Sequence, residues 1–317
     1  MGHDHKHGMD GERSGEKRLL IVLFITAGYM IVEVIGGLWF NSLALLADAG
    51  HMLSDVMAQG LAYAAIRIGR RSPTERLTYG FKRTEILAAL WNGLALWAIV
   101  AVIFYEAWHR FFNPAPVVGK GMLIVAAVGL AVNLCMAGIL MRDRHASLNV
   151  RGVFLHVISD ALGSVGAIVA AIVILTTGLY IADPMVSVFI GVLILYSSWG
   201  LIRESVNVLM EGVPFGMDIT EVERAMLARA GVCCIHDLHV WTISSRRIAL
   251  SAHVVLADSE TDRDGIVRDL RTVLRDEFNI GHITIQAETT HDIPQDESSV
   301  HCRPGTECRF NDRLRTE

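Results

Sequence analysis

The sequence predicts an α-helical membrane protein with six transmembrane helices, followed by a small C-terminal α/β domain. Three observations carry that prediction. Of its 317 residues, 52% are hydrophobic and only 19% charged, and the mean hydropathy is +0.41, too apolar for an ordinary soluble protein. Apolar segments of the roughly twenty residues needed to cross a bilayer core recur from Leu19 onward and stop near Arg203. Beyond that point, short helical and strand periods alternate as in a cytosolic domain.

Residues 1–18, "MGHDHKHGMDGERSGEKR", have no apolar period and read as a flexible His-rich tail. His3, His5 and His7, with Asp4 and Asp10, can chelate a divalent cation weakly or simply be solvated. A transmembrane domain over 19–203 follows, with spans at Leu19–Phe40, Ser42–Ile66, Glu85–Phe112, Val117–Met141, Val150–Thr177 and Ala182–Ile202. The second and fifth are the least hydrophobic. The first is too long for a secretory signal and has no small-residue cleavage site, so it is expected to be retained. Asp183, in "ADPMVS", reads as a cap at the start of the sixth.

Basic residues set the orientation. The loop after span two carries Arg67, Arg70, Arg71, Arg76, Lys82 and Arg83, and the loop after span four carries Arg142, Arg144 and Arg151, whereas the opposite loops offer little beyond Arg110 and Lys120. Both termini are therefore expected in the cytoplasm. The net charge of -5 argues against a nucleic-acid partner. Five cysteines, Cys135, Cys233, Cys234, Cys302 and Cys308, fall mostly on the cytoplasmic side of this topology, where reduced thiols are expected.

The C-terminal domain, 213–290, reads as αββαβ. "DITEVERAMLARA" offers Asp218 or Thr220 as a cap; "IHDLHVWTI" and "RIALSAHVVLA" alternate around "SSRR"; "DRDGIVRDLRTVLRDEF" is amphipathic; "HITIQAE" closes as a strand. The tail, 291–317, is polar, and its one notable feature is "HCRPGTEC".

The chemistry lies in two spans. In "LADAGHMLSDVMAQG", His51 and Asp55 are four apart and share a helix face. The fifth span repeats the spacing in "LHVISDALG" with His156 and Asp160. Packed together, two His and two Asp make an N₂O₂ site of the kind Zn²⁺ accepts. A carboxylate at the centre of a membrane helix costs about 2.5–3.5 kcal/mol and persists mainly where a partner or a functional cavity receives it. Interhelical His–Asp hydrogen bonding is the alternative, although it does not require a duplicated spacing. Asp48, one turn before His51, reads either as an outer carboxylate for metal capture or as a helix-start residue. Glu33 and Asn133 are further polar intrusions, expected in contacts around the site or between helices.

These segments, with "YGFKRTEILAALWNG", "ADPMVSVFIG" and "HDLHVW…SAHVVL…HITIQAE", resemble the cation diffusion facilitator family, in particular its bacterial zinc, cobalt and cadmium resistance branch. The resemblance runs from about Lys17 to Glu288. It implies a homodimer in the bacterial inner membrane, in contact with lipid, that exports Zn²⁺ in exchange for protons by alternating access, Co²⁺ or Cd²⁺ being related cargo. It implies a transport site at His51, Asp55, His156 and Asp160, where histidine at position 51 favours zinc over cadmium. It also implies a metallochaperone-like cytoplasmic domain that binds regulatory zinc at His236, His253 and Glu288, with His239 and His282 as supplements, and that dimerises. Arg83 and Glu211 match a charge pair that locks protomers in relatives. Cys302 and Cys308 resemble metal-binding cysteines of some relatives or are free thiols. The loop "GRRSPTERLTYG" has no His, so no metal site is expected there.

Zn²⁺ needs neutral imidazole and ionised carboxylate, so protons and metal compete for one cluster. An intramembrane metallohydrolase is the enzyme alternative, but the chain has no HExxH and four protein ligands would close the site. A metal receptor that does not transport is the third class, and ion flux separates it.

Overall fold

The computed structural model describes residues 24–141, 148–244, 247–257 and 262–289. Eight helices and three strands occur among them: α1 (Phe24–Trp39), α2 (Leu43–Gly69), α3 (Thr84–Phe112), α4 (Gly119–Met141), α5 (Leu148–Thr177), α6 (Ala182–Leu209), α7 (Ile219–Leu227), β1 (Val232–Ser244), β2 (Arg247–Leu256), α8 (Arg263–Asp276) and β3 (His282–Thr289). The sixth helix runs seven residues beyond the expected end at Ile202, because "RESVNVL" keeps helical spacing after the apolar run ends. By length and composition α3, most of α4, the Asp160–Thr177 part of α5, and α6 can each cross a membrane. Helix α2 falls short of that measure because it carries Asp48, His51 and Asp55.

The chain divides into two compact units. In the first, which includes 88–202, α2 is the central element. One side of it packs Ala44 and Leu45 against Met122 and Ala126 of α4 and Ala167, Ala170 and Ala171 of α5. Its other side packs Leu43 and Ala47 against Leu96, Val100 and Ile103 of α3 and Ile190 and Ile194 of α6. The alanines matter because helices gain little from apolar burial inside lipid and associate instead through close van der Waals approach, which small residues permit. Trp91, Trp108 and Tyr196 are exposed on these apolar helices, as lipid-facing aromatic side chains are.

The second unit comprises Ala65–Leu87 and the chain from Arg203. Its sheet has the order β1-β2-β3, with β1 and β2 antiparallel and β2 and β3 parallel. A parallel pair needs a crossover, and α8 supplies it. Asp218 caps α7 by accepting from Thr220 N at 2.8 Å, which leaves Thr220 inside the helix, and Asp262 caps α8 by accepting from Gly265 N at 2.9 Å. Val222 and Met226 of α7 and Ile266, Leu270 and Leu274 of α8 bury one face of the sheet, at Leu250, Val254 and Leu256. The opposite face is left for chemistry.

The reduced-thiol expectation fails at two positions. Cys233 and Cys234 are both disulfide-bonded, buried with Val255 at the start of β1, while Cys135 is a free, exposed thiol. Cys302, Cys308 and the His-rich tail lie outside the described residues.

Candidate metal centres

The first centre is built on α2. Asp48, His51 and Asp55 are spaced by three and four, so they stand above one another on one helix face. That face meets α5. His51 Nε2 lies 3.6 Å from Asp160 Oδ1 and 3.9 Å from Asp55 Oδ2. Ligand atoms sharing one tetrahedral ion at metal–ligand distances near 2.1 Å stand about 3.4 Å apart, so His51 stands near that spacing from one carboxylate on each helix. Asp160 is buried, whereas His51 and Asp55 are partly exposed, which leaves the group reachable. His156 occupies α5 one turn before Asp160, but its side chain lies outside the described residues.

Small residues let the carboxylates approach. A Cβ on Gly163, one turn beyond Asp160, would stand 3.1 Å from Asp48 Oδ1, so this glycine gives Asp48 its place against α5. Asp48 is buried, and so is Glu33 of α1. Tyr29 donates to Glu33 Oε1 at 2.6 Å, and its hydroxyl sits where a Cβ on Gly129 of α4 would be. Asn133 of α4 donates to Ser164 of α5 at 3.4 Å. On the other side of α2, Ser54 donates to Asn92 Oδ1 of α3 at 3.0 Å.

Asp183 corrects a sequence expectation. It sits in the first turn of α6 but caps α2 instead: its carboxylate accepts from Ser42 Oγ at 2.7 Å, Leu43 N at 2.7 Å and Ala44 N at 3.1 Å. Arg110, near the end of α3, stands 3.7 Å from the same carboxylate and donates to Glu106 Oε1 and to both oxygens of Asn41 at 2.7–2.9 Å. Asn41 makes the α1–α2 turn with φ at 54°, a left-handed conformation that Asn tolerates. The end of the helix that carries His51 and Asp55 is thus tied to α3 and α6 by a buried charged network.

The second centre lies on the open face of the sheet. His236 and His253 are directly paired across β1 and β2, and Glu288 pairs with Val255 on β3, two residues along on the same face. The carboxylate faces both rings: Glu288 Oε2 is 3.0 Å from His236 Nε2, and Oε1 is 2.6 Å from His253 Nδ1. One ligand atom from each residue falls within 4.8 Å of the others, and Glu288 is buried. Two imidazoles and one carboxylate at that spacing fit Zn²⁺. Gln286, which the sequence reading passed over, donates to Glu288 Oε1 at 2.8 Å. Its i−2 position on the same strand face was the available signal.

The two supplements stand apart from this cluster. His239 is exposed and meets Asp237 Oδ1 at 2.9 Å, because a bulge between His236 and His239, with Asp237 at φ 50°, breaks the alternation. His282 pairs with Ala249, four residues from His253, which is about 13 Å along a strand. Its ring meets the edge of Tyr79 instead, at 5.7 Å between centroids. Arg83 donates to Glu211 at 2.9 Å within one chain.

Comparison with known proteins follows the same division. Residues 19–210 match the model of the cation efflux transmembrane domain, and residues 214–290 match that of the cytoplasmic domain of cation efflux proteins. A cadmium, cobalt and zinc/H(+)-K(+) antiporter of Bacillus velezensis is 43% identical over 97% of both chains. The metal cation efflux system protein CzcD of Cupriavidus metallidurans is 42% identical over 90% of each chain. The zinc transporter ZitB of Escherichia coli is 41% identical over 91% of this chain and 93% of its own. A solved structure of the metal-bound C-terminal domain of the CzcD transporter covers 23% of this chain and 99% of its own at 40% identity, with a TM-score of 0.22.

Proposed function

The chain belongs to the cation efflux family, and from that premise we propose that it exports Zn²⁺ from the cytoplasm across a bacterial plasma membrane in exchange for protons, with His51, Asp55, His156 and Asp160 as the cargo site. It is a transporter, not an enzyme. The observation that carries the cargo site is the approach of α2 to α5, with His51 Nε2 3.6 Å from Asp160 Oδ1. An intramembrane carboxylate is costly and persists where a partner or a functional cavity receives it, which supports an ion site at this approach.

Exchange follows from the ligand chemistry. Imidazole binds metal only when neutral, and carboxylate only when ionised, so a protonated cluster releases the cation and a metallated cluster has released its protons. Alternating access of this one cluster to the two sides converts that competition into antiport. The basic end of α2 at Arg67 and the loop after it, with Arg70, Arg71 and Arg76, orient the loaded side and both termini toward the cytoplasm. Homodimerisation through the C-terminal domain belongs to the same reading, and so does a sensing role for His236, His253 and Glu288. Zn²⁺ held there would join β1, β2 and β3 through their side chains; Gln286 keeps the Glu288 carboxylate turned toward both imidazoles. Co²⁺ and Cd²⁺ are further cargo of this site.

The test is flux in vesicles holding the purified chain. An imposed proton gradient should drive Zn²⁺ uptake, and Asp55→Ala or Asp160→Ala should each abolish it. Transport that persists in both variants rejects the site.

A further inference from the structure

The loop between α2 and α3, residues 70–83, carries cations that neither metal centre uses. Arg70, Arg71 and Arg76 are exposed and Lys82 is partly so, and none of them enters an ion pair among the described residues. Arg83 is a different case, because Glu211 already answers its charge. Glu75 is the loop's single carboxylate.

The fold gathers these charges instead of spreading them. Thr84 Oγ1 donates to Phe81 O at 2.7 Å and to Ala65 O at 3.3 Å, and a Cβ on Gly69 would stand 3.8 Å from Phe81 O. The end of α2 and the start of α3 are thus drawn together, and with them Arg70, which follows Gly69, and Lys82, which follows Phe81. The turn between them is built from defined bonds: Thr74 N donates to Leu77 O at 3.2 Å, Leu77 N to Thr74 Oγ1 at 3.1 Å, and Gly80 N to Leu77 O at 2.8 Å. That turn holds Leu77 45% exposed beside Arg76, while the ring of Tyr79 meets His282. Cations collected in this way repel one another until an anion lies among them.

We propose that this loop binds the headgroup phosphates of anionic phospholipid, with Leu77 entering the apolar boundary beside them. The apolar segments on either side end at Ile66 and begin at Glu85, so Arg70, Arg71 and Lys82 stand only a few residues beyond them, at the membrane surface. A cluster of cations immediately beside a membrane helix attracts anionic lipid, and the arginine guanidinium can meet a phosphate through a pair of parallel hydrogen bonds. Leu77 separates lipid from a free anion, because only lipid offers apolar surface to a leucine held in the open.

Cardiolipin, whose headgroup is a diphosphate, is the probe, titrated by thermophoresis into the full-length chain in neutral detergent. Arg70→Gln, Arg71→Gln and Lys82→Gln together should weaken its binding about 100-fold, each cation contributing roughly 5-fold. Arg70→Lys with Arg71→Lys keeps the charge and should retain most of the binding. Leu77→Ser should weaken it roughly 5-fold, the effect of losing part of one buried leucine side chain. High salt should weaken binding to the unaltered chain, while neither phosphatidylcholine nor inorganic phosphate at matched concentration should displace cardiolipin. Removing as many charges from the exposed side of α8, by Arg263→Gln, Arg271→Gln and Arg275→Gln, should change nothing. Unfolding temperatures without lipid should stay together across the set, so that a loss of binding is not a loss of fold. Equal cardiolipin binding by the triple loop variant, an equal loss from the α8 variant, or displacement by inorganic phosphate overturns the proposal. The titration reads lipid binding whichever way the chain is inserted and whether or not it moves Zn²⁺, so its failure is distinct from a failure of the transport reading.

Discussion

Replacing Asp183 with alanine removes the group that joins the ends of three helices. The carboxylate accepts from Ser42 Oγ, Leu43 N and Ala44 N, and stands 3.7 Å from Arg110. Loss of a helix cap costs about 1 kcal/mol. Breaking a buried ion pair costs about 3–5 kcal/mol when its partner is stranded. Arg110 is not stranded, since it keeps Glu106 and both oxygens of Asn41, so about 2 kcal/mol is the appropriate share for a charged hydrogen-bonding partner. The sum, about 3 kcal/mol, set against an unfolding entropy of about 2.1 cal/mol/K for each of the 317 residues, corresponds to a fall of roughly 4–5 °C in the unfolding temperature. Tryptophan fluorescence of the purified chain in detergent, heated at one fixed rate, reads it. Asp183→Asn keeps one acceptor oxygen and should fall about half as far. An Asp183→Ala protein that unfolds within about 2 °C of the unaltered chain would refute the network as a determinant of stability.

Zinc-dependent stabilisation of the full-length chain should shrink in Glu288→Gln, because a ligand at about 100 times its dissociation constant adds about 2.7 kcal/mol and this variant loses the carboxylate facing both imidazoles; an unchanged zinc-induced rise in unfolding temperature would refute the cytoplasmic centre. Reversing Arg83 to Glu or Glu211 to Arg should reduce flux, and the double reversal should restore it. Stability should move by less than about 1 kcal/mol throughout, since both side chains are exposed, and failure of the double reversal removes the pair from the mechanism. His51→Asp should raise Cd²⁺ flux relative to Zn²⁺ in vesicles assayed with Zn²⁺, Co²⁺, Cd²⁺, Fe²⁺ and Mn²⁺. A constant ratio would show that His51 does not set selectivity.

Much of the site was legible because its residues repeat. His51 and Asp55 in one apolar helix and His156 and Asp160 in another share a spacing that helix geometry turns into a common face. The cytoplasmic triad could be assembled only through the resemblance, since His236, His253 and Glu288 stand on three strands, and one bulge at Asp237 separates His239 from His236. Asp183 was misread because a cap is ordinarily local. Its own helix starts at Ala182, yet the N–H groups it satisfies lie about 140 residues earlier, at Leu43 and Ala44.

Local chemistry explains the division between what the sequence alone determined and what the folded chain decided. Apolar length, helical and strand periods, the basic loops and the duplicated His–Asp spacing each depend on residues a few positions apart, so the membrane class, the αββαβ order and the halves of the proposed cargo site could be read directly. Which polar groups meet depends on helix packing. Gly163 admits Asp48 to α5, Tyr29 holds Glu33 toward α2, and Asp183 reaches from α6 to cap the helix that bears His51. These contacts follow from the close approach of backbones and from the cost of leaving a buried charge unpartnered, and both are properties of the assembled bundle.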